Sequence, residues 1–165
     1  MRLFIALELS ENIKTALLAM QGALKKKNVK GRFTPCENFH LTLAFIGEYP
    51  DAGQAADALS QVSFAPFEIT VRGLGCFGDT LWAGVEGSQG LEALAKKIRH
   101  ALALGGIPFD KKSFSPHITL ARKAEGDFSG TAVPAESMTV TGFTLFSSTF
   151  GKNGMLYTPL YIFGG

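Results

Sequence analysis

Asn38–Ile46 reads NFHLTLAFI and Ser115–Arg122 reads SPHITLAR, and both stretches contain the tetrad His-x-Thr-Leu. The chain has three histidines, and two of them, His40 and His117, open such a tetrad. Each stretch is apolar and follows a polar, basic segment, which predicts two strands. Because residues two apart point to the same face of a strand, each histidine should share a face with the threonine of its tetrad.

A longer similarity surrounds the two tetrads. Leu3–Ser10 (LFIALELS) and Leu81–Ser88 (LWAGVEGS) are short apolar segments with Glu in the sixth place and Ser in the eighth. The distance from Ser10 to His40 is 30 residues, and that from Ser88 to His117 is 29. Farther along, Val71-Arg72-Gly73 with Phe77 matches Val140-Thr141-Gly142 with Phe146. We interpret the pattern as an internal duplication within a single bilobal domain, residues 1–165, with approximate halves 1–80 and 81–165.

An amphipathic helix is predicted after each of the first two matching strands. The apolar stripes consist of Ile13, Leu17, Met20 and Leu24 in one helix and of Leu91, Leu94, Ile98 and Leu102 in the other. Ser10 and Ser88 are expected to cap these helices by accepting hydrogen bonds from first-turn amides. The first helix should end near Asn28 to Gly31 and the second at Gly105-Gly106, each followed by a basic loop.

The other segments complete an α+β pattern. We predict a third helix over Ala52–Val62 and a turn over Gly151–Gly154. Alternating residues predict strands over Phe67–Arg72, Thr139–Phe146 and Tyr157–Phe163. The predicted fold class is therefore α+β, with two antiparallel sheets, flanked by helices, that meet at a central cleft.

Composition limits the kind of protein. The 165 residues are 46% hydrophobic and 18% charged, with a net charge of +2, which fits one globular domain and does not require an anionic partner. Cys36 and Cys76 form no C-x-x-C pair, so we expect reduced thiols. Met1–Leu9 is apolar but short and contains Glu8, which indicates a buried strand rather than a signal peptide. We expect a cytoplasmic monomer with no membrane association.

The chemistry of the tetrads suits a phosphate. If the two halves face each other, two imidazoles and two threonine hydroxyls converge on one space. The hydroxyls can donate to non-bridging oxygens. One neutral imidazole can take a proton from water, and one imidazolium can protonate a leaving oxygen, each worth about 10²- to 10⁴-fold in rate. His100 lies in a predicted helix outside any tetrad and is expected to be a solvated residue.

The tetrads His40-Leu41-Thr42-Leu43 and His117-Ile118-Thr119-Leu120 resemble the paired signatures of the two-histidine (2H) phosphoesterase superfamily. Within it, MRLFIALEL, HLTLAFIGE, SPHITLAR and SSTF…YTPL resemble the bacterial and archaeal RNA 2′,3′-cyclic phosphodiesterases, earlier described as 2′-5′ RNA ligases. The resemblance covers nearly the whole chain. It implies an active site between two lobes, no metal or nucleotide cofactor, and hydrolysis of a terminal 2′,3′-cyclic phosphate to a 2′-phosphate, with 2′-5′ joining as the reverse reaction.

The resemblance also implies residue roles. His40 would be the proton donor and His117 the proton acceptor, a direction that the spacing alone leaves open. Thr42 and Thr119 would hold the phosphate, and Arg122 would support charge beside it. Two positions depart from the family pattern, because Phe33 stands where relatives often carry Trp and Leu156 where they often carry a basic residue before Tyr157. These departures concern how the substrate base is held.

Basic and aromatic residues near the tetrads give further candidates. Lys25, Lys26, Lys27, Lys30 and Arg32 precede the first tetrad, and Lys111 and Lys112 precede the second. They form either a rim for an RNA backbone or helix-end cations that complement the dipole. Of the aromatic residues Phe33, Phe39, Phe114 and Trp82, we select Phe33, with Arg32 beside it, as a contact to the base or RNA. Asp110 and Glu37 lie near the tetrads without symmetric counterparts, which argues against a metal site.

Three alternatives to the RNA phosphodiesterase stay open at this point. One is a non-catalytic protein that binds RNA or a nucleotide in the same cleft. Another is a phosphodiesterase acting on a small cyclic-phosphate metabolite. The third is a metal-dependent hydrolase with His40 and His117 as ligands.

Overall fold

A computed structural model describes residues 1–86 and 89–164 of the chain. Within these ranges the chain forms three helices and nine strands. The helices are α1 (Glu11–Lys26), α2 (Ala52–Leu59) and α3 (Gln89–Leu104). The strands are β1 (Arg2–Leu7), β2 (Lys30–Phe33), β3 (Leu41–Glu48), β4 (Phe67–Phe77), β5 (Thr80–Glu86), β6 (His117–Glu125), β7 (Glu136–Val140), β8 (Gly142–Gly151) and β9 (Gly154–Gly164).

The strands form two antiparallel sheets, each of which mixes strands from both halves of the sequence. One sheet has the order β3-β1-β8-β9 and the other β2-β6-β5-β4-β7. β1 and β5 occupy matching places in the two sheets. β1 lies between β3, which follows His40, and β8 from the other half of the sequence. β5 lies between β6, which begins at His117, and β4 from the other half. The α+β fold with two antiparallel sheets is confirmed.

Alternation along β1 gives the four-stranded sheet two apolar faces. Leu3, Ile5 and Leu7 belong to the main core, which also contains the buried faces of the helices. The residues between them, Phe4 and Ala6, form a second cluster with Phe146 on the opposite face. His40 lies against this second cluster.

The helices lie where the apolar stripes predict them, although one cap differs. All eight predicted stripe residues are buried. α1 ends at Lys26, two residues before Asn28, which adopts a positive φ of 62°. α3 ends at Leu104, directly before Gly105. The capping prediction for Ser10 is wrong, because the Ser10 hydroxyl contacts the Asn12 side chain instead of a first-turn amide. The matching prediction for Ser88 lies outside the described residues.

Two predicted boundaries are too generous. The helix predicted over Ala52–Val62 is α2, and it ends at Leu59. Directly after this end, the Ser60 hydroxyl donates to the Asp57 carbonyl at 2.6 Å. The predicted strand over Thr139–Phe146 is two strands in different sheets, β7 and β8, separated at Thr141. β8 begins at Gly142, where an added Cβ would lie 2.5 Å from the Phe163 carbonyl oxygen, so only glycine fits this close approach to β9.

The prediction of a basic loop after the first helix is wrong, because most of this segment forms β2. Arg32 and Phe33 pair with Arg122 and Ala121 at the edge of the five-stranded sheet. The exposed residues of β2 show no apolar alternation, since backbone pairing rather than burial holds this edge strand in place. β4 extends five residues beyond the predicted Arg72, to Phe77. The turn over Gly151–Gly154 is confirmed as the connection between β8 and β9.

No helix in residues 1–86 and 89–164 is long and apolar enough to cross a membrane.

Candidate active site

His40 lies directly before β3 rather than within it. A short 3₁₀ turn, Cys36–Asn38, leads into the strand, which begins at Leu41 instead of the predicted Asn38. The Nδ1–H of His40 donates to the backbone carbonyl of Asn38 at 2.8 Å. The imidazole is half-buried and packs against Phe4 and Tyr157, with a ring-centroid distance of 5.1 Å to each.

His117 is the first residue of β6 and is held in the same way. Its Nδ1–H donates to the backbone carbonyl of Ser115, two residues earlier, at 2.7 Å. Its ring lies edge-on to Phe77, at a centroid distance of 5.1 Å, and 6.2 Å from Trp82. The two halves therefore orient their histidines by the same backbone device and place each against aromatic rings.

The carbonyl contacts fix the tautomer of both imidazoles. A carbonyl oxygen only accepts hydrogen bonds, so each neutral ring carries its proton on Nδ1. Nε2 is then unprotonated in the neutral imidazole and protonated in the imidazolium. Each ring can therefore take up or release a proton at Nε2 without turning over.

The two histidines interact electrostatically. Burial lowers the pKa of His40 below its ordinary value of 6.5, and the positive charges of Arg122 and His117 lower the pKa further, against the opposing effect of the Asn38 carbonyl. In the free protein, His40 is therefore biased toward its neutral form.

A cavity of about 230 Å³ lies beside His40 between the two sheets. Five of the residues singled out in the sequence line it, namely His40, Thr119, Arg122, Arg32 and Phe33. Other lining residues include Asn38, Asn153, Met155 and Tyr157, which come from the turn before β3 and from the β8–β9 hairpin. Two other predicted site residues, Thr42 and His117, are half-buried and are not among the residues that line this cavity in the described part of the chain.

The cavity carries positive charge. Arg32 of β2 and Arg122 of β6 are direct cross-strand partners, and both side chains are exposed. Like charges directly opposite each other destabilise a sheet unless an anion lies between them. Arg122 also acts on Tyr157, since its charge opposes the burial that raises the pKa of the Tyr157 phenol. The cavity is thus suited to an anion.

Sequence reasoning missed Phe4, and it named Trp82 without selecting it, although both rings lie beside a histidine. Phe4 and Trp82 hold the same place in the matching segments LFIALELS and LWAGVEGS, and each lies beside the histidine on its sheet. Phe146 stacks on Phe4, and Phe77 packs against Trp82, at centroid distances of 5.2 and 5.1 Å. The repeated position of these aromatics was the available signal.

Gly75 makes room for the Trp82 ring. A Cβ added at Gly75 would lie 2.2 Å from the nearest atom of the indole, which stands against His117. We expect Gly75→Ala to lower the free energy of unfolding by about 1–3 kcal/mol, because the stiff ring must move. Urea denaturation measures this. Gly22→Ala is the control, since nothing lies within 4 Å of an added Cβ in α1, and it should stabilise the protein by about 0.5–1 kcal/mol. A fully stable Gly75→Ala variant would contradict the packing.

Other candidates stay outside the site. His100 is exposed on α3, as predicted. Phe39 is buried in the main core, and Phe114 lies near the Arg99 guanidinium, 6.0 Å from its carbon to the ring centroid. Lys25, at the end of α1, places its Nζ 4.8 Å from the centroid of the Phe33 ring. In the described part of the chain, no three His, Cys, Asp or Glu side chains group as a metal site would require.

The fold and the paired tetrads define a two-histidine phosphoesterase, and comparison with known proteins gives the family. The chain belongs to the 2′-5′ RNA ligase superfamily, whose model matches residues 15–148. An RNA 2′,3′-cyclic phosphodiesterase of Thermotoga maritima is 32% identical over 176 residues, covering 98% of this chain and 94% of the relative.

Solved structures of Escherichia coli LigT share the whole architecture. The apo form superposes with a TM-score of 0.84 at 29% identity, covering 99% of this chain and 96% of LigT. The complex of LigT with 3′-AMP gives a TM-score of 0.82 with the same identity and coverage. The prediction that this chain is a two-histidine phosphoesterase is confirmed.

Proposed function

We propose that this chain hydrolyses the 2′,3′-cyclic phosphate at an RNA end to a 2′-phosphomonoester, with His40 and His117 as its acid–base pair. The observation that carries the proposal is the matched pair of imidazoles, each with Nδ1 held by the carbonyl two residues earlier and Nε2 left to exchange a proton. The names of the relatives favour an enzyme over a protein that only binds RNA.

In the proposed step two protons are transferred, one phosphorus–oxygen bond forms to water and another breaks to the ribose O3′. Water attacks the phosphorus and gives its proton to Nε2 of neutral His117. The bond from phosphorus to the ribose O3′ breaks, and O3′ receives the proton from Nε2 of the His40 imidazolium. The products are a 2′-phosphate and a 3′-hydroxyl, with His40 neutral and His117 charged until protons exchange with solvent. Attack by an RNA 5′-hydroxyl in place of water gives a 2′-5′ bond.

The phosphate oxygens need donors that do not themselves titrate. Thr119 lines the cavity, and Thr42 follows His40 in its tetrad, so we assign both hydroxyls to non-bridging oxygens. Arg122, whose charge reaches His40, pairs with the developing negative charge. A phosphate bound there also offsets one of the charges that lower the pKa of His40, which favours the imidazolium that an acid requires.

Phe33 and Arg32 are the proposed contacts to the terminal nucleotide. Phe33 lines the cavity, and Lys25 stands over its ring, so stacking of a base would use the remaining ring surface. Arg32, exposed beside it, suits a backbone phosphate. A small cyclic-phosphate metabolite would occupy the phosphate positions without engaging these two residues. The cytoplasmic location, the monomeric state and the absence of a metal stay predictions.

Product identification is the decisive experiment. The protein is incubated with an oligonucleotide that ends in a 2′,3′-cyclic phosphate, and the products are identified by phosphorus NMR. A 2′-phosphomonoester is the expected product, while an unconsumed cyclic phosphate would mean a binding protein. Repeating the reaction in excess chelator tests the metal-dependent alternative, which requires activity to disappear.

The pH dependence of kcat/KM should be bell-shaped, because one imidazole must be neutral while the other is charged. Since this parameter reports the free enzyme, the limb due to His40 should lie below pH 6.5, in the direction in which burial, Arg122 and His117 shift its pKa. Initial rates measured from about pH 4 to about pH 9 give the profile. A single-limbed profile, or two limbs above pH 6.5, would contradict the scheme.

The same lowered pKa affects stability. Between the folded pKa of His40 and its ordinary value of 6.5, the unfolded chain binds more protons than the folded one. The contribution of His40 to the free energy of unfolding therefore rises with pH through that window and is constant above it.

A further inference from the structure

Asn38 connects the β8–β9 hairpin to His40. Its side-chain Nδ2–H donates to the backbone carbonyl of Met155 at 3.0 Å, across 117 residues of sequence. Its own carbonyl accepts the Nδ1–H of His40 at 2.8 Å. One residue thus contacts the His40 imidazole with its backbone and the β8–β9 hairpin with its side chain.

The short turn around Asn38 depends on few contacts of its own. Within Cys36–Asn38 and its flanks, the Asn38 amide donates to the Pro35 carbonyl at 2.9 Å and the Phe39 amide donates to the Cys36 carbonyl at 3.2 Å. A three-residue 3₁₀ turn has weaker hydrogen-bond geometry than an α-helix and does not by itself hold a carbonyl rigidly. The contact to Met155 supplies a tether from a paired strand, since Met155 is the register partner of Phe150.

The second half orients its histidine without such a tether in the described contacts. The carbonyl that accepts from His117 belongs to Ser115, for which the described side-chain hydrogen bonds give only this backbone contact. The Asn38 tether is therefore specific to His40, which must adopt the less favoured charged form when it acts as an acid.

Building on the proposed function, we infer that Asn38 is a positioning residue whose amide, anchored on Met155, keeps the His40 imidazole in the Nδ1–H tautomer with Nε2 available to the phosphate. The hairpin residues Asn153, Gly154 and Met155 line the same cavity. A substrate that contacts the hairpin can therefore affect the orientation of His40 through the hydrogen bond from Asn38 to Met155.

Asn38→Ala is the first test, because it removes the amide and leaves the backbone carbonyl. We expect kcat to fall about 10- to 100-fold, since a misplaced catalytic group loses that much rate, with KM changed less than about twofold. Nitrogen NMR of the free protein should show neutral His40 changing from the Nδ1–H tautomer alone to a mixture with the Nε2–H tautomer.

The pKa of His40 gives a further measurement. The Asn38 carbonyl raises this pKa, so a weakened contact should lower it, as an NMR titration can follow. The titratable or charged groups bordering His40 are Tyr157 of β9, His117 and Arg122 of β6, Arg32 of β2, Glu8 after β1, Lys14 of α1, and Glu37 of the turn. Asn38→Ala changes none of them.

Asn12→Ala is the matched control. The Asn12 amide donates to the Ser137 carbonyl at 2.8 Å, so this variant removes the same kind of long-range hydrogen bond, between α1 and β7, together with the local contact to Ser10; Asn12 does not line the cavity. Both variants should lower the urea midpoint similarly, and only Asn38→Ala should change kcat and the tautomer. Asn38→Asp keeps the side-chain shape without a donor, and it replaces Asn38→Ala if that variant does not fold.

The outcomes separate the two proposals. A tautomer mixture together with a lower kcat supports the positioning role. An unchanged tautomer and kcat would overturn it, and so would a raised KM at constant kcat, which would make Asn38 a binding residue. If the wild-type protein leaves the cyclic phosphate intact, the proposed function fails, while NMR of the free protein still decides whether Asn38 orients His40.

Discussion

Alanine in place of His40 or His117 is expected to lower kcat on a 2′,3′-cyclic phosphate at least about 100-fold, because each imidazole performs one proton transfer. Each ring projects from the same kind of carbonyl contact, so the loss should be similar for both. Initial rates with a cyclic-phosphate-ended oligonucleotide measure the effect. The losses should not add in the double variant if the two transfers belong to one step.

His100→Ala is the control for this experiment. His100 is exposed on α3, so its replacement should leave kcat within about twofold of the wild type, as surface substitutions usually do. A His117→Ala variant with wild-type turnover would remove the basis of the proposed mechanism.

The second large effect concerns which histidine is the acid. In a substrate whose bridging O3′ is replaced by sulfur, the leaving group is a thiolate, which departs without a proton. We expect His40→Ala to hydrolyse this substrate within about tenfold of the wild-type rate, whereas His117→Ala should stay at least about 100-fold slower, because activation of water is still required.

The opposite assignment, with His40 as the base and His117 as the acid, also has a physical basis. Burial and the charges of Arg122 and His117 favour neutral His40 in the free protein, and a neutral imidazole is a base. The assignment of His40 as acid depends on the bound phosphate offsetting the charge of Arg122. Rescue of His117→Ala instead of His40→Ala by the sulfur substrate would exchange the two roles and leave the pair itself intact.

The sequence predicted the parts of the molecule that depend on local pattern. The apolar stripes located α1 and α3, since every stripe residue is buried. The repeated tetrads singled out His40 and His117 as a pair, and both rings make the same backbone contact; their catalytic roles stay predictions. Thr119, Arg122, Arg32 and Phe33 lie beside His40 at the cavity, as their position near the tetrads suggested.

Features that depend on distant backbone contacts were not predictable in the same way. β2 is an exposed edge strand whose pairing with β6 leaves no apolar alternation in its sequence. The predicted strand over Thr139–Phe146 is divided between two sheets, and the close approach of Gly142 to Phe163 involves a residue of the last strand. Asn38 shows no chemical signal in its own sequence context, because its partner Met155 lies 117 residues away.

A single residue connects β7 and β8, which belong to different sheets. β7 is the edge of one sheet and β8 an inner strand of the other, so Thr141 alone joins the two layers at that side. Because one residue spans only about 3.5 Å, the end of β7 and the start of β8 must stay close together, whatever the rest of the two sheets does.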